Sequence, residues 1–547
     1  MRVKKILFFL LISNYIFAQW SISNAERSAL ISIYNSTNGE HWSVVWDFQK
    51  DPKTWYGIKI KNGFVTEINL RGNVLKGNFP SNISVFTKLE KLDMSSNQLE
   101  GEVSSGISSL SSLIRLDVSN NRLSGDPSLV LSSLTQLEEL SLGNNNFSVS
   151  DIDGFLQNFT KLKILDLSKF GLSSVPSKIS LNPGLEILNL SNNHISQGFS
   201  VLSGLSKLTE LNLSGNQLTA IPSGFPAVLK SLDVSNNLFS ANYSAPLSSL
   251  KNLEWLSLEN NQITQFPAEL AQLTKLAHLN FGRNKISGGT SALLLLTDLQ
   301  QLFLNNNQFS GDFPAELLQL PKLQMISLNS NQLSGSIPQN IPAVTFLENN
   351  QYTENQISTF LNFNVLNPNP KTADFVYSPQ RYDEEKTVGA HVNGTANLTQ
   401  SLSGNDYTFT WFKTLDQNLN AHTSSYFISS VQPEDFDVYT CEAYYVKNHP
   451  KYLMEVSFFR EPITLFDTMG TNEISKNINI FPNPTKDYLN IRTENIKVES
   501  SAIYDLSGKL LFTSKKSVID VRHLPSGVYF IVIETGNSRE TFKWIKE

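Results

Sequence analysis

Between residues 65 and 331 the apolar positions recur in one frame, Leu-x-x-Leu-x-Leu-x-x-Asn, running from Val65-Ile68-Leu70-Asn73 to Leu323-Ile326-Leu328-Asn331. The polar mark falls at Asn73, Asn97, Asn121, Asn145, Asn193, Asn216, Asn237, Asn261, Asn284, Asn307 and Asn331, and Phe170 fills the one remaining register position. These twelve repeats are spaced 21 to 25 residues apart. A period of that length predicts a solenoid whose coils share one core with the coils on either side. Alternating leucines place a short strand in each coil, with one face buried. The asparagine amide is expected inside the turn after the strand, where buried backbone groups need partners. Phe170 has no amide, so the ladder should be interrupted at that coil while the fold continues.

Several coils end as Leu75-Lys76-Gly77-Asn78-Phe79-Pro80, Phe309-Ser310-Gly311-Asp312-Phe313-Pro314 or Leu333-Ser334-Gly335-Ser336-Ile337-Pro338, whereas Leu218-Thr219-Ala220-Ile221-Pro222 lacks the glycine. The array resembles leucine-rich repeats, with coils of the plant-type subclass among others. Gly and Pro in these endings predict short 3-10 or irregular convex segments. The expected fold is therefore a leucine-rich-repeat solenoid of α/β type, with a parallel β-sheet on its concave face and two small β-sandwich domains after it.

An open solenoid needs capped ends. Asn24 is placed to cap a helix over 25–34, and Trp42, Trp46 and Trp55-Tyr56-Gly57 follow. Together with Glu26, Leu30, Tyr34, Thr37 and Gly39, they resemble the amino-terminal cap of bacterial leucine-rich-repeat proteins. Lids on the first coil are the expected role of the tryptophans; a carbohydrate site is the sharper alternative.

Side chains alternate faces along a strand, so the residue before the second leucine points outward. That column reads Glu67, Lys91, Arg115, Glu139, Ile164, Ile187, Glu210, Ser231, Trp255, His278, Gln301 and Met325, with Phe303 one column over from Gln301. Trp255, His278, Phe303 and Met325 are expected to share the concave wall of the last four coils, and Ile164 and Ile187 to form a smaller patch. Exposed aromatics and Met beside polar rims mark interaction sites. The column two positions after the Asp/Asn/Ser row is mostly Ser or Gly and reads as bland. Asp93, Asp117, Asp166 and Asp233 read as solvated sheet surface in preference to a calcium site.

The two chain ends carry addresses. Arg2, Lys4 and Lys5 precede an apolar run over 6–12, and Ile16-Phe17-Ala18 offers a cleavage site. This is the layout of a secretory signal peptide, too short to span a membrane. At the other end, Asn477-Ile478-Asn479-Ile480-Phe481-Pro482-Asn483-Pro484, Ile503-Tyr504-Asp505-Leu506-Ser507-Gly508-Lys509 and Leu524-Pro525-Ser526-Gly527-Val528-Tyr529-Phe530 are strands broken by turns. They resemble the type A C-terminal sorting domain of the type IX secretion system of Gram-negative bacteria. That resemblance implies recognition by the secretion machinery and release or attachment at the cell surface. Between repeat and tail, Trp411 and Asp435-Phe436-Asp437-Val438-Tyr439-Thr440-Cys441, in the arrangement Trp … Asp-x-x-x-Tyr-x-Cys, resemble an immunoglobulin fold, with Tyr439 as a tyrosine corner. The usual partner cysteine is missing and Leu398 is the nearest candidate for its place. The expected boundaries are a signal peptide at 1–18, a cap at 19–62, about twelve repeats over 63–350, and a linker at 351–371. An immunoglobulin-like domain at 372–465, a linker at 466–475 and the sorting domain at 476–547 complete the chain.

Bulk properties narrow the function. A net charge of −6 over 547 residues with no basic stripe gives no footprint for nucleic acid. One cysteine excludes an intrachain disulfide, and seven scattered histidines show no pair at metal-ligand spacing. No nucleophile elbow or phosphate-cradling loop is present, so neither an enzyme nor a cofactor is expected. The expectation is a secreted or cell-surface binding protein with a protein or glycan ligand and no transmembrane segment. The alternative is a surface spacer without a selective ligand.

Overall fold

The computed structural model describes residues 20–240, 246–366, 374–414, 417–450, 452–468, 478–481, 485–493, 497–505, 509–525, 527–535 and 538–546. The segment read as a signal peptide and parts of the turn motifs quoted from the tail lie outside the described residues. The chain divides into two compact units, Met1–Gln380 and Arg381–Glu547.

The first unit is a solenoid. Its concave sheet has fifteen strands, following the chain from Ile58–Lys61 to Asp374–Val376. The first pair is antiparallel and the rest are parallel, each coil contributing three residues in unbroken register. The inward residues Leu92, Leu116, Leu140, Leu188, Leu256, Leu279 and Leu302 have no exposed surface, so the core is one continuous column. The convex side is made mainly of short 3-10 turns such as Ser105–Ser109 and Ala268–Gln272.

Each ladder asparagine ties its own coil to the one before. Asn121 Nδ2 donates to Val118 O and Ser119 O in its own coil and to Met94 O in the preceding coil, at 2.9 to 3.2 Å. Its Oδ1 accepts from Leu99 N at 2.9 Å. The residue before the ladder position has positive φ in every coil, from Gly72 (61°) through Asn120 (55°) to Asn349 (56°). Gly and Asn tolerate this left-handed conformation best, which accounts for the repeated Asn-Asn doublets. At Phe170 the turn survives, since Lys169 keeps φ at 60°, and Asn193 Oδ1 accepts from both Phe170 N and Leu172 N. What is lost is the donor to Leu142 O, which receives only Asn145 Nδ2, whereas Val118 O receives both Asn121 and Asn145. The Phe170 ring packs on Phe147 at 6.1 Å. Buried Asn182 adds a substitute tie, accepting from Leu162 N and donating to Phe159 O. The irregularity is local, as the sequence implied.

After the twelve coils that carry the frame, the array closes with the degenerate coil that the sequence places near Phe346. Val344–Phe346 pairs with Met325–Ser327, and Asn350 continues the ladder, donating to Leu328 O and Leu347 O. The coil departs from the frame because buried Thr345 replaces the inward leucine, its hydroxyl donating to Pro342 O. Within the span read as a linker, Glu354–Leu366 forms a helix with Ile357 and Phe360 buried, and Asp374–Val376, read from the sequence as part of the immunoglobulin-like domain, instead adds a further strand to the solenoid sheet. The Gln380 amide closes this end by donating to Leu347 O and accepting from Tyr352 N.

At the opposite end the helix Asn24–Ser36, capped by the Ser23 hydroxyl, buries Leu30 and Ile33. Trp42, Trp46 and Trp55 are each no more than 5% exposed, and their indole N–H groups donate to Thr37 O, Tyr56 O and Asp47 O. Trp46 stacks on Trp55 at 4.9 Å and meets Trp42 edge to face at 5.0 Å, and their burial leaves no ring face for a sugar. They are lids. Buried Glu26 ties helix to sheet by accepting from Val65 N at 3.1 Å.

In the second unit Tyr407–Lys413 and Val438–His449 pair antiparallel and set Trp411 opposite Cys441, while Ala396–Thr399 pairs with Ser425–Ile428. Trp411, Cys441 and Leu398 are fully buried, and the Tyr439 hydroxyl donates to Asp435 O at 2.7 Å. The closing strands form two small sheets around Leu489, Ile503, Ile531, Ile533 and Trp544.

Candidate functional site: the concave face of the last coils

Parallel register carries each outward column straight along the solenoid, so neighbours on this face are residues one coil apart. Trp255 stands beside His278, His278 beside Gln301, and Gln301 beside Met325. All are half-buried. Phe303 lies in the next column, opposite Asn280 on one side and Ser327 on the other. The four residues expected at the site thus share one wall but occupy two columns. Ile164 and Ile187 are direct neighbours in register and also half-buried, several coils away.

The row of Asp93, Asp117, Asp166 and Asp233 does not behave as solvated surface. Asp93 and Asp117 are buried, and each carboxylate accepts from the backbone N–H and hydroxyl of the serine two residues on. Burial pushes the carboxyls of Asp117, Asp166 and Asp233 above the usual range, against the lowering effect of those bonds. These side chains brace the turn. Arg115 spans the row, its guanidinium 3.1 Å from Glu139 and 3.7 Å from Asp93. Among the described residues, no group of three or more His, Cys, Asp or Glu side chains is placed to hold a metal ion.

Next to the Trp255 column the last coils enclose a shallow depression of about 400 Å³. One side is formed by Asn280, Phe303 and Phe346, and the other by Asn305, Asn329 and Glu348, with Glu259 at the far end. Only Phe303 among the expected site residues borders it. The second side is the column that reads as bland Ser or Gly in the sequence. It is bland over most of the array, but in these coils, Gly282 apart, it carries Glu and Asn. The signal was available in the chain as Glu259, Asn305, Asn329 and Glu348, each two residues past the strand.

Family comparisons bear on both units. Leucine-rich-repeat families match residues 88–110, 112–134, 183–227, 227–286 and 298–320. Residues 479–547 match the secretion system C-terminal sorting domain. The chain carries leucine-rich repeats and a type IX sorting domain. Among solved structures, an internalin from Listeria monocytogenes is 30% identical, with 50% of this chain and 86% of that one covered at a TM-score of 0.39. A leucine-rich-repeat protein from Leptospira interrogans is 28% identical, with 54% and 81% covered at 0.42. The leucine-rich-repeat ectodomain of a plant membrane receptor kinase from Arabidopsis thaliana is 24% identical, with 59% and 41% covered at 0.42. The sorting domain points to secretion or the outer cell surface, and no described helix is long and apolar enough to cross a membrane. Leucine-rich repeats generally bind proteins, and the sorting domain implies the secretion machinery as a partner.

Proposed function

We propose that this protein is a non-catalytic binder, exported behind a signal peptide cleaved near Ala18 and sorted by its tail. The concave wall around Trp255, His278, Phe303 and Met325 recognises a protein or glycan at the cell surface, with Ile164 and Ile187 as a secondary patch. The observation that carries this reading is the run of half-buried aromatic, imidazole and thioether side chains held in register beside an open depression. A rigid array of strands presents them with little ordering cost on association. Buried Trp411, the Tyr439–Asp435 bond and Leu398 in place of the missing half-cystine support an immunoglobulin-like module, which serves as a stalk or second binding unit.

The test is capture of partners from surface extracts by the purified protein and by its Trp255→Ala/Phe303→Ala variant. Loss of capture by a variant with unchanged melting supports the wall, because anchors of this kind each contribute roughly 2 kcal/mol or more. Equal capture moves the site elsewhere. No capture by either protein favours a spacer.

A further inference from the structure

The depression is asymmetric in charge. At one end Glu259 is already satisfied, since Asn280 Nδ2 donates to its Oε2 at 3.0 Å and Arg283 Nε lies 3.6 Å from Oε1. At the other end Glu348 has an Oε2 that has no hydrogen-bond partner among the described residues. The ion pairs described in these coils are Lys230–Glu254, Arg283–Glu259 and Lys322–Asp298, and Glu348 takes part in none of them. The side chain is only half-buried and lines the depression, so a cationic donor arriving with a ligand meets a carboxylate that the described residues leave unsatisfied, and is favoured there.

The surroundings select the donor. Phe346 sits two residues before Glu348, and Phe303 lies on the same side of the depression two coils earlier. Aromatic faces attract cations, and a guanidinium stacks flat on a ring while its edge donates to a carboxylate. A lysine ammonium is more strongly hydrated and loses more on entering such a site. Between the ends, Asn305 and Asn329 offer both donors and acceptors to a peptide backbone. Glu259 and Glu348 are four coils apart, about 19 Å at the roughly 4.8 Å spacing of neighbouring strands. An extended chain covers that length in about six residues.

We propose that the depression takes an extended segment of a protein partner, about six residues long, with an arginine side chain seated between Phe346 and Glu348. The proposal rests on the concave-face reading and adds the chemistry of the ligand to it.

Random hexapeptides displayed on phage, selected on the whole chain, test it. Arginine should be enriched in the selected pool. Replacing that arginine by citrulline in the synthetic peptide should weaken binding at least about tenfold, the scale of a charge-assisted hydrogen bond. Glu348→Gln keeps shape and removes charge, and should weaken the arginine peptide by the same factor while the citrulline peptide binds both proteins alike. If Glu348→Gln fails to fold, the citrulline exchange on the unaltered protein decides alone. Selected peptides without arginine, bound equally by both proteins, overturn the proposal and leave the concave binder standing. A library that yields no binder also overturns it, while the capture experiment with Trp255 and Phe303 judges the broader reading separately.

Discussion

Replacing Asn145 by alanine should cost more than the same change at Asn121, although both side chains make equivalent bonds. Asn145 donates to Val118 O, Leu142 O and Gly143 O and accepts from Leu123 N at 2.9 Å. Removing Asn121 strands Leu99 N, but Met94 O keeps Asn97 and Val118 O keeps Asn145. Removing Asn145 strands Leu123 N and also Leu142 O, because the next coil offers Phe170 in place of an amide. A buried backbone group without a partner costs about 1–3 kcal/mol, so Asn121→Ala should lose about 2 kcal/mol and Asn145→Ala about 4 kcal/mol. Global unfolding of a chain with several domains is a poor gauge of this. Amide hydrogen exchange over residues 95–150 reads the local opening directly. The expected difference of about 2 kcal/mol is roughly a 30-fold faster exchange in Asn145→Ala than in Asn121→Ala. Phe170→Asn should then shrink that gap by restoring a donor to Leu142 O. Equal losses in the two variants, or a gap untouched by Phe170→Asn, would refute the account of shared carbonyls.

Asp166→Asn should raise the melting temperature at pH 7, because burial holds the folded carboxyl above its unfolded value and so disfavours its charged form. A raised carboxyl pKa gives stability that is present at low pH and lost as pH rises through the folded value, so the advantage of the amide variant should fade on acidification to about pH 4. The turn itself is safe, since Asn189 and Asn212 already accept from the serine N–H in the same position. Val74 holds φ at 63° while 43% exposed, an unfavourable conformation for a branched side chain with little packing in return. Val74→Asn should therefore stabilise the first coil by about 1 kcal/mol, measured by exchange at the cap. Cys441 is fully buried and its thiol is pushed up to about 11, so a thiol reagent at pH 8 should label it only in denaturant.

The solenoid was legible because nearly every coil restates the same constraints: an inward leucine or isoleucine and an asparagine for the turn. The last coil, near Phe346, was legible only as a degenerate one, because Thr345 stands where a leucine is expected and Asn350 follows Asn331 by nineteen residues, below the prevailing period. The Asn349-Asn350 doublet was the surviving sign. Trp255, His278 and Met325 were legible as one column since register converts a repeat position into a neighbour relation. The depression was not, because it depends on Phe303 and Phe346 rising from one column against Glu348 and two asparagines in another. Nothing in the frame of a single repeat connects those residues. Asp117 and Asp166 were misjudged for a related reason: an outward position on a curved sheet is still covered when its own turn folds back over it.

The coil is a cassette. Each one touches only its neighbours and adds one step of about 4.8 Å to the face. The interval between Glu259 and Glu348 is therefore a ruler graduated in repeats, and the length of segment it measures is set by how many cassettes lie between its two acidic stops. Duplication or loss of a single coil in that interval would change the gauge by one graduation without redesigning either end, so recognition of a longer or shorter partner lies one recombination event away.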